Sequence, residues 1–215
     1  MTDALSQTHT PLEAALRAAS AHLAGLDRDP VGATVDLATL RSRLARPLGE
    51  QGVPAEQVVA DLVRDVDGGL LGSTGGRFFA WVIGGSLPSA LAADWLVSAW
   101  DQNAALYACA PAAAVVEEVA GAWLKDVLGL PATASFALVT GCQMAHATCL
   151  AAARHALLAG RGWDVERRGL FGAPPLRILS SAQRHGSFER AVRLLGLGRD
   201  QIREVGADAR DRMRP

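Results

Sequence analysis

A strand–turn–helix pattern in the second half of the chain constrains the fold more than any other feature. Short apolar segments at residues 136–140, 176–180 and 202–205 are predicted to be strands. Helical patterns stand between them, from Gln143 to about Leu158 and over residues 187–195. Strands that alternate with helices usually form a parallel sheet covered by helices. The sequence therefore predicts an α/β fold with a mostly parallel sheet.

The beginning of the chain is predicted to be helical instead. Thr10 and Pro11 are typical of a helix start, because threonine caps and proline suits the first helical position. Apolar residues then recur at helical spacing as far as Leu26. Further helices are expected at residues 37–44 and 55–66, each bounded by proline or glycine.

A glycine-rich run over residues 68–76 favours a loop and divides the chain. We therefore expect a helical arm over residues 1–72, followed by the α/β body over residues 73–215. Within this body, helical patterns also run from 88 to about 108 and onward from Pro111.

Composition excludes several classes of protein. The 215 residues carry a formal net charge of -1, so no basic surplus supports binding to nucleic acid. No stretch approaches the roughly 18 consecutive apolar residues of a membrane span, so no membrane partner is expected. The three cysteines include no C-x-x-C pair, which favours a reducing, cytoplasmic environment over a disulfide framework or a metal site.

The turn at Gly141 is a candidate anion site. A strand that passes through glycine into a helix directs free backbone N–H groups at one point, and the helix dipole adds positive charge there. The alternative is an ordinary turn between a strand and a helix. The chain contains neither G-x-G-x-x-G nor G-x-x-x-x-G-K-[ST], so dinucleotide and P-loop sites are unsupported.

His185 follows the predicted strand at residues 176–180, at the edge where open α/β sheets bind ligands. A histidine there can transfer protons, lie against a planar ligand, or cap the next helix. His146 and His155 are nine residues apart on one predicted helix, so they face opposite sides and cannot share a metal ion. No metal site is expected.

Four segments together resemble the group II pyridoxal-phosphate-dependent amino-acid decarboxylases, the family of aromatic-amino-acid, histidine and glutamate decarboxylases. The resemblance covers the chain from about Arg77 to Val205, and the spacing between the segments fits as well as their residues do. The four segments are Arg77-Phe78-Phe79-Ala80, Ala110-Pro111-Ala112 running on to Glu117, Thr140-Gly141-Cys142-Gln143-Met144-Ala145 before Leu150-Ala151-Ala152-Ala153-Arg154, and His185-Gly186-Ser187-Phe188-Glu189-Arg190-Ala191.

The resemblance implies part of a fold-type-I large domain, pyridoxal 5'-phosphate (PLP) as cofactor, and a homodimer with shared active sites. It also implies decarboxylation of an amino-acid substrate. His185 would stack on the cofactor ring, and the turn would bind the cofactor phosphate. The implied cofactor-binding residues are Gly141, Cys142, Gln143, Met144 and His185, and the implied substrate-pocket residues are Trp81, Val82, Ile83 and Asn103.

Two departures from the family pattern stand out. Gln143 and Met144 occupy positions where many members have a small residue followed by serine, which removes a hydroxyl contact to phosphate. The sequence also contains a single lysine, Lys125, beside Asp126 on a polar helix face that does not suit Schiff-base chemistry. We therefore expect the chain to be an incomplete N-terminal portion of such an enzyme, inactive by itself.

Two other functions remain open at this stage. Another fold-type-I PLP lyase, of the aldolase or desulfurase type, would use the same cofactor and align a different bond for cleavage. A non-catalytic subunit that retains half of the fold would need no lysine.

Overall fold

The computed structural model describes residues 2–214, with side chains from Thr10 onward. It divides into two compact units, Met1–Asp101 and Gln102–Pro215. The expected boundary at residues 72 and 73 falls inside the first unit, and the arm and body remain a prediction about domains.

The first unit contains four helices among its described residues: α1 (Thr2–Gly25), α2 (Leu37–Leu44), α3 (Ala55–Asp65) and α4 (Pro88–Trp100). The predictions for α2 and α3 are confirmed to within a residue. The expected start of α1 is wrong, because the helix passes through Thr10 and includes Pro11. The residues before Thr10 include the strong helix formers Ala4, Leu5 and Gln7, which favour this extension.

Helix α4 is shorter than predicted because the residue that follows it adopts a left-handed backbone conformation. Asp101 has a φ of 46°, a left-handed conformation, and its N–H donates to Val97 O as the last helical bond. A single left-handed residue is a common helix terminator. The predicted continuation to about residue 108 is therefore wrong.

The glycine-rich loop of the first unit is held by backbone hydrogen bonds. Thr34 N donates to Gly68 O at 2.7 Å, and Gly72 N donates to Val31 O at 3.0 Å. Gly68 has a φ of +75°, a conformation that favours glycine. Arg77 anchors the end of the loop, because its guanidinium donates to the carbonyls of Leu26 and Asp29 at 2.8 and 2.5 Å.

The second unit contains the predicted α/β arrangement in reduced form. Its two strands pair in parallel, with Ile178 opposite Ile202 and Ser181 opposite Val205. A helix lies between the two strands in sequence, as the strand–helix alternation predicts. The elements are α5 (Pro111–Val127), α6 (Cys142–Ala159), α7 (Val165–Arg168), β1 (Ile178–Ser181), α8 (Gly186–Leu194), a 3₁₀ turn (Arg199–Gln201) and β2 (Ile202–Val205).

The predicted strand at residues 136–140 is wrong. Among the described residues the sheet consists of β1 and β2, and the segment at 136–140 belongs to neither. A strand needs the hydrogen-bonding groups of a neighbouring backbone, and no described segment supplies them here. The Phe136 ring lies instead against Gly121 of α5, where a Cβ atom would collide with the ring.

The core of the second unit lies where α6 and α8 pack together. Leu158 and Val192 are completely buried there, and Ala147 and Ala191 are small enough to let the helices approach closely. This packing determines how the beginnings of the two helices lie relative to each other.

Candidate functional site

The candidate site starts at the N-terminus of α6. Gly141 caps the helix with a φ of 144° and a ψ of 175°, a region that is essentially restricted to glycine. Met144 N and Ala145 N both donate to Gly141 O at 3.0 Å, so the N–H groups of Cys142 and Gln143 come before the first helical bonds. A Cβ atom at Gly141 would meet nothing within 4 Å, so the space beside the turn is open.

His185 begins α8 in a different way. It is the residue before the helix, with an extended backbone, and its Nδ1 accepts a hydrogen bond from Ser187 N at 3.2 Å. Of the roles considered for this histidine, capping the next helix is present in the structure. The ring remains exposed while it caps.

The beginnings of α6 and α8 are joined by side-chain hydrogen bonds. Ser187 Oγ lies 2.8 Å from His185 Nδ1 and 3.2 Å from His146 Nδ1, and it is almost completely buried. Beside this contact, Arg190 Nε donates to Gln143 Oε1 at 3.0 Å. The structure therefore brings the Gly141 turn next to His185, two elements that the resemblance assigns to the same cofactor.

The positive charge at this site comes from Arg190 and the two helix dipoles. Arg190 is exposed, and its contact with Gln143 keeps the guanidinium beside the first turn of α6. Arg184 also lies near the start of α8, but its guanidinium is engaged by Glu189 at 2.8 Å and Glu204 at 3.5 Å. An anion at the turn would therefore face Arg190, whose charge is not matched by a carboxylate in the described contacts.

Three residues that join the two helix starts were not among the predicted site residues: Ser187, Arg190 and His146. A usable signal exists in the sequence, since Gln143 and His146 are three residues apart, as are Ser187 and Arg190. Polar pairs at this spacing share one helix face. Sequence alone did not reveal that the two faces meet.

The predicted pocket residues Trp81, Val82 and Ile83 lie in the first unit and are all exposed. Trp81 and Val82 have φ values of 57° and 55°, which is costly for a bulky or β-branched residue. Backbone strain of this kind is concentrated at functional sites.

In the second unit, Asn103 Oδ1 accepts a hydrogen bond from Ala105 N at 3.1 Å and stabilises its own turn.

Lys125 is committed to the structure of the second unit. Its Nζ donates to Ala132 O at 2.9 Å and to Ala134 O at 3.1 Å, and it lies 5.9 Å from the centre of the Phe136 ring. These contacts secure the segment that follows α5. The amine is therefore used as a structural donor.

Known proteins similar to this chain include several amino-acid decarboxylases. The aromatic-L-amino-acid decarboxylase of Bacillus atrophaeus is 29% identical over 187 residues, which are 87% of this chain and 37% of the relative. The structure of mouse CSAD in its apo form superimposes with a TM-score of 0.85 at 24% identity, over 99% of this chain and 44% of that one. The resemblance to the group II PLP-dependent decarboxylases is confirmed.

The group II decarboxylases also include a solved structure with its cofactor. Oryza sativa TDC with PLP and tryptamine matches 95% of this chain and 44% of its own, with a TM-score of 0.81 at 24% identity. The fold is that of part of a fold-type-I large domain, as predicted. No family model matches the chain. The chain spans less than half the length of the decarboxylases it matches.

Two kinds of feature are absent from the described residues, 2–214. None of the helices there has both the length and the apolar character that crossing a membrane requires. Among the side chains that the structure describes, from Thr10 to Arg214, His, Cys, Asp and Glu form no cluster of three that could hold a metal ion.

Proposed function

We propose that this chain forms the cofactor-holding N-terminal part of a PLP-dependent amino-acid decarboxylase. The observation that carries the proposal is the junction between α6 and α8. An open helix N-terminus at Gly141 and the imidazole of His185 are held side by side through Ser187 and Arg190. A cofactor with a phosphate group and a flat ring needs these two elements next to each other.

The residues at the turn fit a phosphate group. The N–H groups of Cys142 and Gln143 and the guanidinium of Arg190 supply donors and positive charge, and Gly141 leaves the approach open. The first turn of α6 has Gln143 and Met144 in place of a hydroxyl side chain. The phosphate contacts here therefore depend on the backbone and on Arg190.

The role of His185 follows from its shape and its fixed position. A flat imidazole against one face of the cofactor ring holds that ring at a defined angle, and the bond to be broken must stand perpendicular to the ring. When bound, PLP supplies the electron sink for the electron pair left as CO₂ departs. His185 contributes orientation and restricts access of water to one face of the ring.

The remaining roles extend the same proposal to the whole enzyme. Trp81, Val82 and Ile83 would form an apolar wall for an aromatic or aliphatic amino-acid side chain. Asn103 is proposed separately as a substrate-pocket residue. The arm over residues 1–72 and the body over residues 73–215 would assemble in a homodimer with shared active sites. Three free cysteines agree with a cytoplasmic enzyme.

Equilibrium binding tests the cofactor site directly. The chain is titrated with PLP, with pyridoxal, which lacks the phosphate, and with inorganic phosphate. We expect PLP to bind more tightly than pyridoxal, and phosphate to compete with PLP. Equal affinities for PLP and pyridoxal would contradict a phosphate site at Gly141.

Product analysis tests the reaction and separates the alternatives. The complete gene product is incubated with PLP and mixtures of amino acids, and the products are analysed. A decarboxylase releases CO₂ and an amine, an aldolase-type lyase releases an aldehyde, and a desulfurase releases sulfur from cysteine. PLP binding without any of these products would favour a non-catalytic subunit. Lys125→Ala is expected to leave the products unchanged.

A further inference from the structure

Ser187 occupies an unusual position between two histidines from different helices. Its Oγ lies 2.8 Å from His185 Nδ1 and 3.2 Å from His146 Nδ1. The serine is only 4% exposed, so protein groups rather than bulk water satisfy its hydroxyl. A serine hydroxyl has one hydrogen to donate, and it therefore cannot donate to both rings.

The backbone decides which ring receives that hydrogen. Ser187 N–H donates to His185 Nδ1 at 3.2 Å, so this ring nitrogen carries a lone pair and no hydrogen. The contact of the same nitrogen with Ser187 Oγ can then be a hydrogen bond only if the hydroxyl is the donor. With its hydrogen used, Ser187 Oγ can only accept from His146, whose Nδ1 must carry a hydrogen.

We infer that Ser187 is a positioning residue that sets the tautomers of both histidines. The hydrogen bonds run in one direction, from His146 Nδ1–H to Ser187 Oγ–H to His185 Nδ1. His185 consequently carries its hydrogen on Nε2, and His146 carries one on Nδ1. Two hydrogen bonds to one ring nitrogen also restrict rotation of the His185 imidazole before any ligand arrives.

His146, the first donor in this series of hydrogen bonds, is also held in place. The His146 ring meets the Phe188 ring edge-on, with centres 5.8 Å apart and planes at 86°. Phe188 follows Ser187 in the same helix, so α8 contacts His146 through two consecutive residues. The orientation of His146 Nδ1 toward Ser187 is thereby supported by packing as well as by hydrogen bonding.

The assignment of tautomers depends on the contacts of the chain alone. Its importance for the cofactor rests on the proposed function, in which the face of the His185 ring meets the cofactor ring. A fixed tautomer and a fixed ring plane would then present the same surface to each cofactor molecule.

The decisive measurement is solid-state NMR of the chain labelled with ¹⁵N-histidine, which distinguishes protonated from unprotonated ring nitrogens. Single variants His146→Asn and His185→Asn assign the two rings by loss of their signals. We expect a protonated Nε2 and an unprotonated Nδ1 for His185, and a protonated Nδ1 for His146. A protonated Nδ1 on His185, or an unprotonated Nδ1 on His146, would overturn the inference.

The variant Ser187→Ala distinguishes positioning from a general effect on folding. The backbone N–H at position 187 remains, so His185 should keep its tautomer, whereas His146 should lose its Nδ1–H signal in favour of Nε2–H. Ser187→Thr keeps the hydroxyl and should restore the wild-type signals, and Ser98→Ala in α4 is the matched control. An unchanged His146 signal in Ser187→Ala would also overturn the inference.

Cofactor affinity provides the second readout. Loss of one hydrogen bond to the His185 ring should weaken PLP binding by Ser187→Ala roughly twofold to tenfold, the range for a single neutral hydrogen bond. Tautomers as inferred in a chain that does not bind PLP would uphold the role of Ser187 and refute the proposed function. PLP binding with the opposite tautomers would refute the role of Ser187 and uphold the proposed function.

Discussion

Helices α6 and α8 lie side by side, but they begin in opposite ways. Helix α6 starts at Gly141, which has no side chain to cap it, and the N–H groups of Cys142 and Gln143 are left unused by the helix. Helix α8 starts at His185, whose own ring accepts the N–H of Ser187. The start of α6 is therefore open to a ligand, whereas the start of α8 uses the N–H of Ser187 to hold the His185 ring.

This difference shows that the unpaired N–H groups at a helix start can either bind a ligand or hold a side chain. Every helix leaves its first N–H groups without helical partners. At α6 these donors remain available for an anion, while at α8 a donor fixes the ring that would lie beside that anion. Helix α2 offers a third solution, because the Asp36 carboxylate accepts from Thr39 N at 2.8 Å and simply closes the helix end.

The largest effect is expected from Gly141→Ala. An alanine would have to adopt the glycine-specific backbone of this turn, which costs about 1–3 kcal/mol in stability or forces the turn to rearrange. PLP binding should be lost in either case. Chemical denaturation and PLP titration measure the two effects.

Gly206→Ala is the matched control for this substitution. Gly206 lies in the same unit, its added Cβ would also meet nothing within 4 Å, and it has no left-handed φ. Its stability should change by less than about 0.5 kcal/mol, as for ordinary surface substitutions. If Gly141→Ala proved as harmless as this control and still bound PLP, the open start of α6 would not be a specific anion site.

The two functions of His185 should separate in a pair of variants. His185→Ala removes the cap and should cost about 1 kcal/mol of stability, whereas His185→Asn keeps a good capping side chain and should cost much less. Both remove the imidazole and should weaken PLP binding equally. Thermal unfolding and PLP titration of the two variants provide the comparison.

His155→Ala is the histidine control, since His155 is exposed and its ring nitrogen lies 3.6 Å from Glu166 in a loose surface pair. It should affect neither stability nor PLP affinity appreciably. Full PLP affinity in His185→Asn would mean that the histidine only caps the helix.

Arg190→Gln should have a smaller effect, confined to binding. The substitution removes an exposed charge next to the α6 turn, and we expect PLP affinity to fall about twofold to fivefold at low salt. The difference should shrink as salt is added, because added ions screen exposed charges. Arg193→Gln on the same helix serves as the control, and equal losses in both variants would assign the effect to net charge alone.

The smallest effect concerns the closed end of α2 and depends on pH. The hydrogen bond from Thr39 N lowers the pKa of Asp36 below its ordinary value. A lowered pKa stabilises the fold above the ordinary value, and this contribution disappears as the pH falls through the lowered pKa. The protection factor of the Thr39 amide, which corrects its exchange rate for the intrinsic rate at each pH, should therefore fall in acid for the wild type, and this fall should be absent in Asp36→Asn. Identical pH profiles would contradict the cap.

Local patterns predicted much of the fold. Apolar spacing and flanking proline or glycine located α2 and α3, and strand–helix alternation predicted the parallel pairing of β1 with β2. The prediction of a strand at residues 136–140 was wrong. The apolar, β-favouring composition of this segment is the same whether or not a neighbouring backbone is there to pair with it. Whether that neighbour exists is a property of the folded chain.

The family resemblance assigned the Gly141 turn and His185 to one cofactor, but the side-chain contacts that connect them were not predictable from sequence. Glycine before a helix indicated the Gly141 turn, and the position of His185 after a strand indicated a ligand edge. The contacts of Ser187 with His146 and of Arg190 with Gln143 join residues more than 40 positions apart. Sequence spacing describes one helix at a time and does not reveal which helix faces meet.

The structural role of Lys125 determines how the chain reacts with reagents that modify amines. Apart from its five histidines, the chain's other basic side chains are all arginines, so Lys125 carries the only side-chain amine. That amine is engaged by the carbonyls of Ala132 and Ala134. Reagents that modify side-chain amines would therefore report on a single location, the segment that follows α5. The rate of modification would follow the opening of that segment, and a lysine-specific protease would divide the denatured chain at one peptide bond.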